Sequence, residues 1–136
     1  CTMKAYAEHM KHGSIEHEVS RMNLDHQLEQ ISKARELGVI VALGTDAGSI
    51  GVHHGSGIMD ELKLLIIAGF SLPEAIRCAS CNGAKLLGIE DFGVISEGMA
   101  ATFLVAKGDP SKLPDSLGSL DFIYCRGNIV NYKNEI

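Results

Sequence analysis

Residues 39–46 read Val-Ile-Val-Ala-Leu-Gly-Thr-Asp, and this stretch decides the fold that the sequence predicts. Its five consecutive apolar residues show no polar alternation, which is typical of a strand covered on both faces in a parallel sheet. The glycine-rich residues 47–51 that follow favour a loop. The carboxylate of Asp46 is therefore predicted just past the carboxyl end of a buried strand. Parallel α/β folds place catalytic and ligand-binding groups there.

Length, charge and cysteine content restrict what the protein can do. A chain of 136 residues is long enough for one domain of modest size with a stable core. The net charge of −5 and the pI near 5.6 indicate no basic surface, so we expect neither a nucleic acid nor a membrane as partner. No apolar run approaches the roughly 18 residues of a transmembrane helix. Four cysteines are few for this length and indicate reduced thiols in a cytoplasmic protein.

Apolar residues at helical spacing predict four helices before residue 93. Asn23 is a suitable N-cap for the second helix, and Gly38 suits its C-terminal end. Ser71, with Glu74 three residues later, has the pattern of a capping box at the start of the fourth helix. The predicted helices cover about residues 2–11, 24–37, 57–68 and 71–87.

The character of the sequence changes near residue 93, where short β-prone runs between glycines replace the helical periodicity. Gly127-Asn128 fits a two-residue hairpin turn between the last two runs. We therefore predict two parts, residues 1–93 with the helices and the main strand, and residues 94–136 with further strands. The β-prone runs are residues 94–95, 102–106, 122–125 and 128–132.

One parallel strand cannot form a sheet alone, and residues 1–38 contain no second run like residues 39–43. The apolar faces of the predicted helices also require a sheet to cover them. We therefore expect the chain to be the end of a longer α/β protein. Its partner would be the missing N-terminal part, or a second copy through self-association.

Several short motifs, taken in their order and spacing, resemble those of metal-dependent amidohydrolases. The resemblance covers about residues 24–132 and is greatest to the branch with imidazolonepropionase-like enzymes and Xaa-Pro and Xaa-Arg dipeptidases. The motifs are Gly44-Thr45-Asp46-Ala47-Gly48, His54-Gly55, Pro73-Glu74-Ala75-Ile76, Asn82-Gly83-Ala84-Lys85-Leu86-Leu87-Gly88 and Gly98-Met99-Ala100-Ala101.

This resemblance implies an α/β fold that is the C-terminal segment of a (β/α)8 TIM barrel plus part of a small β-sandwich. Residues 39–43 would be the last barrel strand, and residues 94–136 the C-terminal strands of the sandwich. Asp46 matches the family's aspartate at the end of that strand, which binds the metal and acts as general base. The implied cofactor is a divalent metal, zinc, and the implied reaction is hydrolysis of a C–N bond in an amide, dipeptide or cyclic amide.

The family's other metal ligands have no counterpart in this chain. A catalytic zinc requires at least three protein ligands, so we expect this chain alone to be inactive. Its substrate in the complete enzyme would be a small or dipeptide-like molecule.

Several other side chains allow more than one interpretation. His53 and His54 follow Asp46 in the same loop, where they could contact the substrate or bond to the backbone of a tight loop. His9 and His12 could share a helix face and bind a metal, but a solvated surface is the simpler interpretation. Cys78 and Cys81 lie within a predicted helix and without a second pair, which favours small buried residues over a zinc or redox site.

Two other functions remain open at this point. The chain could be a non-enzymatic α/β interaction module that keeps only the helices and the sandwich strands. It could instead bind a phosphorylated ligand at the loop from Gly44 to Gly57, although that loop has neither of the common glycine-rich phosphate motifs.

Overall fold

The computed structural model describes residues 2–130. In that range, helices occupy the first two thirds and a small antiparallel sheet the remainder. No helix there is both long and apolar enough to cross a membrane. The elements are α1 (Thr2–His9), α2 (Ile15–Glu36), α3 (Gly57–Ile67), α4 (Leu72–Ala79), α5 (Cys81–Leu86), β1 (Phe103–Ala106), β2 (Leu120–Cys125) and β3 (Asn128–Ile129), with 3-10 turns at Pro110–Lys112 and Asp115–Gly118.

The second helix is longer than the sequence pattern predicts. It begins at Ile15, well before the predicted start near residue 24, because Ser14 rather than Asn23 is its N-cap. The Ser14 side chain accepts a hydrogen bond from the His17 amide at 3.2 Å. No glycine or proline interrupts the helix between Ile15 and Glu36, so it continues through Asn23. Its end at Glu36 agrees with the prediction.

Residues 39–46 belong to no strand, so the prediction of a strand buried on both faces is wrong for this chain. Val39 and Ile40 are 56% and 59% exposed. Residues 40 and 42 make no backbone hydrogen bond within the described range. The physical reason is the lack of a neighbour, because the strands of residues 2–130 pair only with one another in the order β1-β2-β3.

The predicted fourth helix is divided into α4 and α5 at Ser80, whose φ of −127° and ψ of −88° are not helical. The break leaves the Cys78 carbonyl free of its helical partner, and it accepts a hydrogen bond from the Leu43 amide at 2.9 Å. Asn82 Nδ2 donates to the Val41 carbonyl at 2.7 Å. These two hydrogen bonds hold residues 41–43 against the junction of α4 and α5.

The predicted capping box at the start of α4 is confirmed. Ser71 N donates to Glu74 Oε2 at 2.7 Å, and Glu74 N donates to Ser71 Oγ at 3.4 Å. Arg35 of α2 binds the same carboxylate through Nε and Nη2, each at 3.2 Å. Glu74 therefore both caps α4 and joins it to α2.

The core lies where α3, α4 and the segment between them meet. Its buried residues contact partly buried side chains from α2, from residues 41–43 and from the second 3-10 turn. The buried members are Leu62, Leu65, Ala68, Phe70, Ala75 and Cys78, and their partners include Leu28, Ile31, Val41, Leu43 and Leu117. The core thus fixes the residues that immediately precede Asp46.

The sheet forms from two of the predicted β-prone regions and part of a third. β1 pairs antiparallel with β2, and Phe103 and Tyr124 stack with ring centroids 4.7 Å apart. The hairpin turn lies one residue earlier than predicted: Cys125 pairs with Asn128, so Arg126 and Gly127 form the turn, with φ values of 50° and 80°. Residues 94–95 form no strand. The prediction for residues 131 and 132 lies outside the described residues.

Candidate functional site

Asp46 is exposed at the start of the loop that leads to α3. Its φ of 53° is left-handed, a conformation that aspartate tolerates better than most residues. Its Oδ2 accepts hydrogen bonds from Thr2 Oγ1 at 2.9 Å and from Ser49 Oγ at 2.8 Å. The bond from Ser49, and next the bond from Thr2, lower the pKa of the Asp46 carboxyl below its ordinary value. The group is therefore a carboxylate at neutral pH.

Backbone hydrogen bonds close the loop immediately after Asp46. Ser49 N donates to the Asp46 carbonyl at 3.3 Å, and Val52 N donates to the Ser49 carbonyl at 3.0 Å. Gly48 N donates to the Val52 carbonyl at 3.0 Å, which draws the two ends of the loop together. Asp46 thus stands on a closed turn whose geometry the backbone itself maintains.

The helix α1 supports this loop from the other side. The His9 ring lies against Gly51, so close that a β-carbon at Gly51 would be 2.6 Å from His9 Cε1. His9 Nδ1 also lies 2.8 Å from the Ala5 carbonyl. Lys4 forms an ion pair with Glu8 at 2.9 Å and has its Nζ 3.7 Å from Asp60 Oδ1 of α3. The N-terminal helix is therefore part of the site's framework.

The two predicted histidines lie in the same loop as Asp46. His53 and His54 are exposed. A β-carbon at Gly48 would lie 3.7 Å from His54 Nε2, which places the His54 ring beside a residue two positions after Asp46. The His53 carbonyl accepts the Gly57 amide at 3.1 Å and so joins the loop to the start of α3. Neither imidazole makes a hydrogen bond to another residue of the described range, which leaves their role as substrate contacts a prediction.

Sequence reasoning did not identify Thr2 and Ser49 as site residues. Ser49 could have been found, since a serine three residues after an aspartate in a glycine-rich loop can reach its carboxylate. Thr2 could not, because 44 residues separate it from Asp46 and only the tertiary fold brings the two together.

Residues 2–130 do not form a complete metal site by themselves. In the part of the chain that the structure describes, no three His, Cys, Asp or Glu side chains are placed to hold an ion together. Asp46 Oδ1 has no donor from residues 2–130, so this carboxylate could supply one ligand, whereas zinc requires at least three from the protein. The remaining ligands would have to come from residues beyond this range.

The other candidate ligands are not grouped into a metal site within residues 2–130. His9 and His12 are both exposed, and the His12 ring packs against the His17 ring with centroids 4.8 Å apart. Cys78 is 2% exposed in the core, and burial raises the pKa of its thiol. Cys81 is partly buried at the start of α5 rather than in the same helix as Cys78. These positions agree with the interpretation of the cysteines as small buried residues.

Comparison with known proteins decides the family. The sequence profile of the Amidohydrolase family matches residues 2–132. The chain belongs to the amidohydrolase family. The resemblance drawn from its motifs is thereby confirmed, and the family as a whole generally uses divalent metal ions.

Solved structures support the same assignment. This amidohydrolase chain resembles a candidate prolidase from Bifidobacterium longum with a TM-score of 0.80 and 25% identity, over 96% of this chain and 33% of that one. It also resembles a Xaa-Pro dipeptidase with bound methionine in its active site, with a TM-score of 0.73 and 28% identity over the same shares. The chain therefore has an α/β fold of helices with a small antiparallel sheet, and it corresponds to about one third of the length of each of these larger proteins.

Curated sequences give a similar result. An uncharacterised protein of Mycobacterium tuberculosis is 34% identical over 98 residues, which are 72% of this amidohydrolase chain and 25% of the relative. A 5-methylthioadenosine/S-adenosylhomocysteine deaminase of Shouchella clausii is 24% identical over 106 residues, which are 71% of the chain and 24% of that enzyme. The chain spans about a quarter of the length of the curated relatives it matches.

Proposed function

We propose that the full-length gene product hydrolyses a C–N bond in a small substrate, which is a dipeptide, a cyclic amide or another amide. Family membership supports a hydrolase. The similar proteins include a Xaa-Pro dipeptidase and a deaminase, and both of these names describe reactions at a C–N bond. A dipeptide-like substrate is favoured because the dipeptidase is similar over 96% of this chain.

Asp46 is the residue of this chain that we propose to act in the reaction, as metal ligand and general base. This role is supported by the exposed Asp46 carboxylate, whose Oδ2 accepts two hydroxyl hydrogen bonds and whose Oδ1 has no donor among residues 2–130. A free carboxylate oxygen can accept a proton from an attacking water and return it to a leaving amine.

We propose that the divalent ion is zinc. When bound, such an ion lowers the pKa of a water molecule and polarises the carbonyl group of the substrate. Residues 2–130 do not hold such an ion by themselves. We therefore propose that further ligands belong to the rest of the full-length gene product and that this chain alone is inactive. In that complete protein residues 39–43 would gain strand neighbours and become a barrel strand, with residues 94–136 in the sandwich.

His53 and His54 are proposed to contact the substrate. Both are exposed in the loop that follows Asp46, and the ring of His54 lies near Gly48 of that loop. Their imidazoles are not engaged by other residues of the described range, so they can donate to or accept from a bound molecule.

The test is hydrolysis of a panel of dipeptides and cyclic amides by the purified full-length gene product loaded with zinc. Asp46→Asn is the informative variant, because asparagine tolerates the left-handed φ of residue 46 while removing the basic oxygen. We expect kcat to fall by about 100-fold or more. Asp25→Asn, which changes an exposed acid of α2, is the matched control and should leave the rate within about twofold. An Asp46→Asn protein with the full rate would contradict the proposal.

A phosphate-binding loop is the second candidate, and the structure offers it less support. Many amides of the Gly44 to Gly57 loop already donate within the loop, and the Asp46 carboxylate would repel an anion. The engaged amides are those of Ala47, Gly48, Ser49, Val52, Ser56 and Gly57. Thermal stabilisation of the protein by inorganic phosphate would favour this alternative, and an absence of both activity and phosphate binding would favour an interaction module.

A further inference from the structure

The Asp46 carboxylate receives both of its hydrogen bonds on the same oxygen. Thr2 Oγ1, from the first residue of α1, donates to Oδ2 at 2.9 Å, and Ser49 Oγ, from the following loop, donates to Oδ2 at 2.8 Å. No donor in residues 2–130 contacts Oδ1. Within the described residues, two separate elements of the fold therefore hold Oδ2, and neither contacts Oδ1.

We propose that Ser49 and Thr2 are positioning residues that hold Asp46 Oδ2 and so present Oδ1 to the reacting groups. This inference rests on the proposed function. The terminal torsion of an aspartate is broad and roughly two-fold, so an exposed carboxylate with one partner could present either oxygen. Two donors on a single oxygen remove that ambiguity.

The two positions can be tested independently. The loop that carries Ser49 is closed by backbone bonds, from Ser49 N to the Asp46 carbonyl and from Val52 N to the Ser49 carbonyl, and Ser49→Ala leaves these groups in place. Thr2 belongs to a different element, α1. Loss of either hydroxyl should therefore free the carboxylate without opening the loop.

The experiment measures kcat and KM of the zinc-loaded full-length gene product on its best dipeptide or cyclic amide. Ser49→Ala and Thr2→Val should each lower kcat by about 10-fold or more, with KM changed less than about twofold. Thr2→Ser keeps a hydroxyl at the same place and should retain most of the rate. Ser56→Ala is the matched control, because Ser56 lies in the same loop and its side chain makes no capping hydrogen bond.

A crystal structure of the Ser49→Ala, Thr2→Val double variant provides a readout other than activity. We expect the Asp46 carboxylate to be rotated or in two orientations there and in one orientation in the unmodified protein. A single unchanged orientation in the double variant would overturn the proposal.

The kinetic measurements also test the positioning role of Ser49 and Thr2. Unchanged kcat in both single variants, or a loss in Thr2→Ser as large as in Thr2→Val, would overturn the positioning role. If Ser49→Ala does not fold, the comparison of Thr2→Val with Thr2→Ser decides alone. If Asp46→Asn is inactive but both hydroxyl variants are fully active, only this inference fails. If Asp46→Asn is active, the proposed function and this inference fail together.

Discussion

We predict that the Asn82 side chain holds residues 39–43, the segment that leads to Asp46, against the start of α5. Its Nδ2 donates to the Val41 carbonyl at 2.7 Å, and residues 39–43 have no strand neighbours within residues 2–130 that could replace this bond. Asn82→Ala removes the donor and leaves a partly buried carbonyl without a protein partner. A lost hydrogen bond contributes about 1 kcal/mol and an unsatisfied buried acceptor about 1–3 kcal/mol, so we expect a loss of about 2 kcal/mol.

The assay is urea denaturation of the 136-residue chain followed by circular dichroism at 222 nm. Asn23→Ala is the matched control, since Asn23 is also helical but is exposed in α2. Alanine is the better helix former, so the control should be neutral or more stable by up to about 0.7 kcal/mol. The reasoning is refuted if Asn82→Ala and Asn23→Ala change the free energy of unfolding equally.

Three further perturbations test the framework around the site. The hydrogen bonds from Ser71, and then the bonds from Arg35, lower the pKa of Glu74 from 4.5 to about 2. Because the carboxylate is favoured in the folded chain, the stability that Glu74 contributes is present above pH 4.5 and is lost as the pH falls toward 2. Urea denaturation midpoints of the unmodified chain should therefore decline more between pH 4.5 and pH 2 than those of Glu74→Gln. Cys78 is 2% exposed and Cys125 is exposed, so a thiol reagent should modify Cys125 before Cys78. Cys78→Ser should lower the free energy of unfolding by about 1–3 kcal/mol. Gly51 and Gly55 both have positive φ, 74° and 81°, but only a β-carbon at Gly51 would meet a neighbour, at 2.6 Å. Thermal melts should therefore show a larger loss for Gly51→Ala than for Gly55→Ala, and equal losses would contradict the contact with α1.

Features that depend on neighbouring residues in the sequence were predicted well. The Ser71–Glu74 capping box is a pattern of four consecutive residues, and the structure has it as predicted. The end of α2 at Glu36 and the position of α3 follow in the same way from local signals. The start of α2 was missed because Ser14 and Asn23 are both good N-caps, and propensity alone does not choose between them.

Features that depend on distant residues were predicted poorly. The apolar run at residues 39–43 indicates a strand, but a strand exists only where another strand pairs with it, and residues 2–130 provide none there. The break at Ser80 was missed for a similar reason, since it coincides with the bond between Leu43 and the Cys78 carbonyl. For the candidate site, Asp46 could be chosen from its place after the apolar run, whereas its partner Thr2 could not.

The proposed role of Asp46 as a metal ligand can be tested by anomalous diffraction at the zinc edge from crystals of the zinc-loaded full-length gene product. We expect a zinc ion about 2.0–2.2 Å from an Asp46 carboxylate oxygen. A bound zinc ion with Asp46 outside its coordination shell would show that the proposed role is wrong.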